Sequence, residues 1–594
     1  MSRFVRPAAV PVLVFAGLVV ATFAAFFVTT RLKRAAPVIE QLTFRRSFSP
    51  NDDGRFDVAL FAFRLRRTDE VTVSVVKRDG DEVRTLGEDV FLQRGVRHRF
   101  RWDGRNDAGR VAPDGEYHLR VGLRNQGRTV TSSRKLFLDT LPPRMVVRYV
   151  SPDSISPDGE GRANSARLQF SGPSRRARLL VFRTDRGNPR LVARREIPRD
   201  EQSVRWNGRV TGGGAAPTGS YLLVVRAQDA AGNVGPREVP PRRSDIRGHP
   251  GLVVTYAAAT APSAVRAGAR AEFTVSADGR RYRWSLRRLG AGRPSARGTR
   301  RSSSLAVRAP RGRSGVALLT VRVGSHRYTT PFAVQGARKE RVLVVLPATT
   351  WQARNRLELD GDGYPDVLPA AQRVSVRRPF AGDGMPPGFQ GDQSALLGFL
   401  DRERLRYDIT SDLLLTRRGI PPIDGYTGVL YAGAPRFAPQ RVQTLLREYV
   451  QGGGRVAWAG RHGFEWSVGV ATDGRGVPDE LVDPTRTRRS PFGERVRLEP
   501  GPAPVAVLRD SIRFFAGVPV AFGPFGALEE SAATPRGAQL LAAAGTGAER
   551  PAIVVYRQDR GIVVRIGIDG FGRALRSSPA AERIMRRLWV LLSR

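Results

Sequence analysis

The stretch RWDGRNDAGRVAPDGEYHLRVGL at 101–123 decides the fold, because it returns as RWNGRVTGGGAAPTGSYLLVVRAQDAAGN at 205–233. Trp102 matches Trp206 and Tyr117 matches Tyr221, 104 residues on in each case. That spacing is too long for a solenoid repeat and suits tandem small domains. A polar turn opens each copy, SPNDDGRFD at 49–57 and SPDGEGRAN at 156–164. Apolar residues alternate at Val71, Val73 and Val75, and again at Tyr117, Leu119, Val121 and Leu123. Short alternating strands separated by Gly, Asp and Pro turns indicate β-sandwiches.

The order SPNxDG, WDGRNxxGxxxPDGxY and a closing strand resembles the Ig-like domain of the flagellar hook-capping protein. The resemblance implies an all-β, exported spacer or interaction module without catalysis. It places sandwiches at 36–145 and 146–241. A polar run, RRSDIRGHPG, reads as a linker. Alternation then resumes in AEFTV, RYRWSL and ALLTVRV, predicting a third sandwich at 250–336 with RPSARGTRRSSS (293–304) as an exposed loop.

Ala8–Thr30 contains no charged residue over 23 positions. At ~1.5 Å per residue a helix of that length crosses a hydrocarbon core of ~30 Å. The run ends in FFVTTRLKR, not in a small-residue cleavage site, so an uncleaved anchor is expected. With the exported modules following it, the expected placement is a single-pass protein of the cell membrane. Residues 1–7 lie inside and the bulk lies outside the cytoplasm.

The formal charge is +43, yet only four residues are Lys, leaving 94 Arg spread over every segment. Dispersed Arg reads as solvated surface in a GC-rich coding sequence, so no specific nucleic-acid partner is expected. Attraction to anionic envelope polymers or to a small anionic ligand stays open. The absence of Cys excludes disulfides, thiol nucleophiles and thiolate metal sites.

From residue 337 to the end, apolar runs replace alternation. RVLVVLP, YTGVLYAG and RVAWAG read as buried strands between helical stretches, predicting an α/β domain built on a mostly parallel, flavodoxin-like sheet. TTWQARN (349–355), YDITSD (407–412), the run from VLYAGAPRFA to AGRHGFEW (429–466) and DRGIVVRIGIDGFG (559–572) resemble the C-terminal part of the β subunit of N,N-dimethylformamidase. That resemblance implies a glutamine-amidotransferase-like fold. It also implies a mononuclear iron held by Tyr and Glu side chains. Arg354 stands where one Tyr would be, and Arg436 and Phe437 where a carboxylate would be. A guanidinium offers a cation no lone pair, so no iron site is expected.

At the turn after RVAWAG, His462 can act as a base oriented by Glu465 or Asp412, and Arg354, Arg436 and Arg461 can line a pocket for an anion. Three polar turns fit calcium-loop spacing. ELDGDGYPD supplies Glu358, Asp360, Asp362 and Asp366; the first turn supplies Ser49, Asn51, Asp53 and Asp57; the second supplies Ser156, Asp158, Glu160 and Asn164. Asx turns explain the same residues without a metal. The leading expectation is an envelope binding or scaffold protein with a catalytically degenerate C-terminal domain. The alternative is an amide-bond hydrolase with a rearranged site.

Overall fold

The computed structural model describes residues 9–34, 38–172, 176–417, 423–499, 501–547 and 550–594. Residues 1–7, expected inside the cell, lie outside the described set. The chain divides into two compact units, the first built mainly from residues up to Arg144 with Ala227–Arg237, the second from most of the remainder.

In the first unit a three-stranded sheet (Ile39–Thr43, Ala59–Leu65, His98–Trp102) faces a larger one centred on Gly115–Leu123 and Asp69–Lys77. The alternation in 115–123 is realised: Tyr117, Leu119, Val121 and Leu123 are buried, their neighbours half-buried or exposed. Trp102 packs on Tyr117 at 5.0 Å between ring centroids. Each polar edge is satisfied locally, Trp102 Nε1 donating to Arg105 O at 2.8 Å and Tyr117 Oη to Pro113 O at 2.5 Å. The repeat recurs because this device recurs. In the second unit Trp206 Nε1 donates to Arg209 O at 3.0 Å and Tyr221 Oη to Pro217 O at 2.7 Å. Buried Trp and Tyr need such partners, which fixes the spacing of the Pro and Gly turns around them.

The second unit holds this second sandwich, a third one, and the C-terminal region. Strand Gly251–Val254, inside the span expected for the third sandwich, pairs with Gly219–Leu222 of the second. The loop expected at 293–304 contains an edge strand, Ala296–Arg300, paired with Tyr282–Leu286. Its Arg and Ser side chains read as loop because an edge strand keeps polar residues outward.

The C-terminal region departs from expectation. Among the described residues strand far exceeds helix, and no flavodoxin-like, mostly parallel α/β domain is present. Its main sheet has nine strands: β1 (Val342–Leu346), β2 (Asp408–Ser411), β3 (Gly428–Tyr431), β4 (Arg455–Ala459), β5 (Ala503–Asp510), β6 (Ala521–Phe525), β7 (Gln539–Gly545), β8 (Pro551–Gln558) and β9 (Gly561–Ile566). Their order is β2-β1-β3-β4-β9-β8-β7-β5-β6. The contacts from β2 to β9 are parallel and those from β9 to β6 antiparallel. Strand–helix alternation ends at β4. Beyond it the chain adds half-exposed antiparallel strands, Trp466–Thr472 and Pro478–Arg486 among them, whose mixed polarity carries no helix–strand signature. Two helices accompany the sheet, Gln440–Gln451 and Pro579–Ser593, the latter capped by Ser578 Oγ accepting from Ala581 N.

The membrane anchor is not supported either. Among the described residues no helix is long and apolar enough to cross a membrane. A helix runs Ala9–Arg34, and its described side chains, Val14–Phe26, are exposed. The single-pass placement, inside and outside, loses its basis.

Candidate functional site

Strand β4 ends at Ala459, and the turn that follows is strained. His462 has φ +65° and Phe464 φ +59°, values non-glycine residues seldom adopt. Gly463 between them has no room for a side chain: a Cβ would stand 2.3 Å from Trp458 Nε1. Strain of this kind costs about 1–3 kcal/mol and persists where surrounding contacts hold it. Those contacts are polar here. His462 N donates to Glu529 Oε2 at 2.5 Å, and His462 Nδ1 stands 3.0 Å from Glu465 Oε2.

Glu465 gathers positive charge. Arg436 Nε lies 2.8 Å from its Oε2 and Arg486 Nη2 3.1 Å from its Oε1. The Arg436 Nε–H, although that close, is not aligned for a hydrogen bond. Arg461 is 3.7 Å from Asp569. Arg354 makes no ion pair among the described residues; packing and then the charges of Arg436 and Arg356 push its pKa down. Burial depresses the pKa of His462 as well, followed by Arg436, with Glu465 opposing and Arg461 and Arg354 adding to the depression. The three arginines expected to line a pocket, Arg354, Arg436 and Arg461, each act electrostatically on His462, but none of them lines the cleft beside it.

Asp412 does not. It is fully buried at the end of β2, where its Oδ1 accepts from Thr349 N at 2.9 Å. Its Oδ2 has no partner and its neighbour is the Tyr431 hydroxyl, also unpartnered. Burial raises its pKa to about 7. The carboxylate nearest the His462 ring is that of Glu465, whose Oε2 makes no aligned hydrogen bond.

Three residues escaped the sequence reading. Glu529 and Glu530 sit side by side in strand Leu528–Ala533 and both are buried. Two adjacent acids in the short strand LEESAA are the signal that could have marked them. Arg565 in β9 is the third. It is buried against Glu494, with Nε–Oε1 at 3.0 Å and Nη2–Oε1 at 2.9 Å, and Nη1 donates to Glu529 O at 2.5 Å. Beside this pair lies a cleft of about 130 Å³ reached by His462, Glu465, Arg486, Arg488, Arg489 and Glu529.

The acidic turn ELDGDGYPD carries the opposite charge. Glu358, Asp360 and Asp362 bring carboxylate oxygens within 4.8 Å of one another. Arg243 from the linker already enters the cradle, 3.0 Å from Asp360 Oδ2 and 3.2 Å from Asp366 Oδ1, and it pairs with Asp362 as well. Glu358 Oε1 accepts from Gly361 N at 2.6 Å. Burial raises Glu358 to about 7 and Asp366 to about 6. The second turn repeats the arrangement: Arg280 pairs with Asp158 and donates to Ser156 Oγ at 2.7 Å. In the first turn Asp53 N donates to Asn51 Oδ1 at 3.1 Å and Gly54 N to Asp57 Oδ2 at 2.8 Å, so Asx turns are formed. A larger cavity of about 540 Å³ runs beside Glu358 and Asp360, lined mainly by apolar surface and far less charged than the His462 turn.

The iron implied by the dimethylformamidase resemblance does not fit. The positions in question hold Arg354 and Arg436; the Arg436 charge helps to depress the Arg354 pKa, and guanidinium groups repel a cation.

Solved structures share only distant likeness. The β-galactosidase from Bacillus circulans sp. alkalophilus is 10% identical, with 40% of this chain and 30% of that chain covered and a TM-score of 0.25. The chicken CNTN1 FN1–FN3 domains are 11% identical over 50% of this chain and 97% of theirs, at a TM-score of 0.19. Escherichia coli alpha-2-macroglobulin activated by porcine elastase is 13% identical over 51% and 32%, at 0.17. The chain therefore spans under a third of the galactosidase. No curated protein matches it. Family models do match: residues 56–127 the FlgD Ig-like domain, and residues 302–501 the N,N-dimethylformamidase beta subunit-like C-terminal family. Glu529 and Arg565 lie beyond the matched stretch, and the pairing of the two families fits a multidomain protein of extracytoplasmic type.

Proposed function

We propose that the C-terminal region is a binding domain for a small anionic ligand and that the β-sandwiches serve as spacer or contact modules. The observation that carries the reading is Arg354, a guanidinium without a carboxylate partner beside Arg436 and within electrostatic reach of His462. An anion there supplies the missing counter-charge, and guanidinium forks suit carboxylate or phosphate. The loss of metal-ligand chemistry at Arg354 and Arg436 supports binding in place of the family's catalysis. The test is calorimetric titration of inorganic phosphate into the full chain at two salt concentrations, with polyphosphate in parallel. Stoichiometric, salt-weakened phosphate binding supports the reading. Polyphosphate binding alone points instead to an envelope polymer, and no binding of either rejects it.

A second reading, amide-bond hydrolysis, is favoured by the 3.0 Å His462–Glu465 pair on a strained turn. A carboxylate that orients a neutral imidazole makes it a competent base. Release of amine from small amides, abolished in His462→Ala, would establish it; no turnover above the His462→Ala background would end it.

Calcium at ELDGDGYPD remains a proposal with a condition attached, since any cation there has to displace the Arg243 guanidinium.

A further inference from the structure

Glu529 is 1% exposed, lines the cleft, and has a carboxylate oxygen with no donor. Its Oε2 accepts from His462 N–H, whereas Oε1 has no hydrogen-bond partner. An unsatisfied buried acceptor costs about 1–3 kcal/mol, so a donor brought by a ligand is favoured at this atom. The rim of the same cleft is opposite in kind. Arg488 makes no ion pair or side-chain hydrogen bond among the described residues, and Arg489 donates only to a backbone carbonyl, Gly493 O at 3.2 Å. The lining therefore offers an acceptor to a positively charged N–H group and guanidinium groups to an anion. The volume, about 130 Å³, limits the occupant. A cavity of about 150 Å³ accommodates benzene, so roughly six heavy atoms fit.

Resting on the reading of the domain as an anion binder, we infer that this cleft takes a small amino-carboxylate. Its ammonium sits on Glu529 and its carboxylate on Arg488 and Arg489. The sequence places these groups far apart, in Leu528–Ala533 and in the turn after Pro478–Arg486. The strained His462 turn joins them by holding Glu529 through its backbone N–H.

The test uses the full chain and four probes: glycine, β-alanine, acetate and methylammonium, with inorganic phosphate as a control. Binding is read by calorimetry for the wild type, Glu529→Gln and the exposed rim variant Arg489→Ala. The expected result is that glycine or β-alanine binds at least about tenfold tighter than acetate or methylammonium. Glu529→Gln should remove that advantage while phosphate binding persists, and Arg489→Ala should weaken glycine and β-alanine by about tenfold with an unchanged melting temperature. If Glu529→Gln melts early, the rim variant and the probe series carry the test alone. Acetate binding as tightly as glycine, or glycine binding unmoved in both variants, overturns the inference and leaves the anion reading standing. Failure of phosphate and of all four probes overturns both.

Discussion

Two turns in the second unit are near mirror images. At ELDGDGYPD several carboxylates surround one guanidinium, that of Arg243. After β4 several guanidinium groups surround one carboxylate, that of Glu465, and Arg354 is left over. The first cluster is closed by a side chain of the same protein, so its surplus is largely met. The second is not closed, and its surplus, Arg354, faces solvent. What distinguishes a docking turn from a ligand site is therefore the charge that remains unpaired, not the number of charged residues.

A third cluster sets the limit of that comparison, because in it charge cancels fully. Glu494 and Arg565 are 0% and 1% exposed in their side chains. Glu494→Ala strands a buried guanidinium and should destabilise the C-terminal region by about 3–5 kcal/mol, measured by denaturant melts. Arg243→Ala opens the acidic cradle and should cost about 1–3 kcal/mol. If Arg243 is the occupant, millimolar calcium should raise the melting temperature of this variant and leave the wild type unmoved. Equal stabilisation of both would show that the guanidinium does not fill the cradle.

Asp412 sharpens the comparison from the side of burial. Its folded pKa is about 7 against an unfolded value of about 3.9. The folded state holds the proton across that window. The contribution is full below pH ~4 and is lost as pH rises through about 7. Asp412→Asn keeps the oxygen that accepts from Thr349 N, so the pH dependence of melting between about 4 and 7 should flatten. Glu358 and Asp366 titrate in the same range and should leave a residual slope. The smallest effect is at His462. Glu465 raises its pKa against burial and three arginines, so Glu465→Gln should lower the ring's titration midpoint further, read by NMR.

The sandwiches were legible because one local device, Trp and Tyr each bonded to a nearby carbonyl, repeats with its turn residues. The edge strand at 296–300 was not, since its outward Arg and Ser mimic a loop. In the C-terminal region, apolar runs located β1, β3 and β4, and the run at 551–569 reads as the β8–β9 hairpin that is observed, but β5, β6 and β7 have no comparable period. Arg354, Arg436, Arg461, His462 and Glu465 were picked out from sequence by their motif stretches; Arg436, Arg461, His462 and Glu465 fall in turns beside strands and Arg354 at the end of the helix Ala348–Ala353. Asp412 was assigned to the wrong neighbour, as both it and His462 follow strands and sequence does not say which ends adjoin. Glu529 was missed because its partner, a backbone N–H in a left-handed turn, is invisible to residue type.

The central claim is that the leftover positive charge beside His462 selects an anion. The most direct measurement is the affinity of the full chain for inorganic phosphate after Arg354→Glu, with the melting temperature recorded alongside. The account predicts that binding weakens by at least about tenfold while melting stays within a few degrees, because Arg354 has no partner to lose. Phosphate affinity equal to that of the wild type would contradict it.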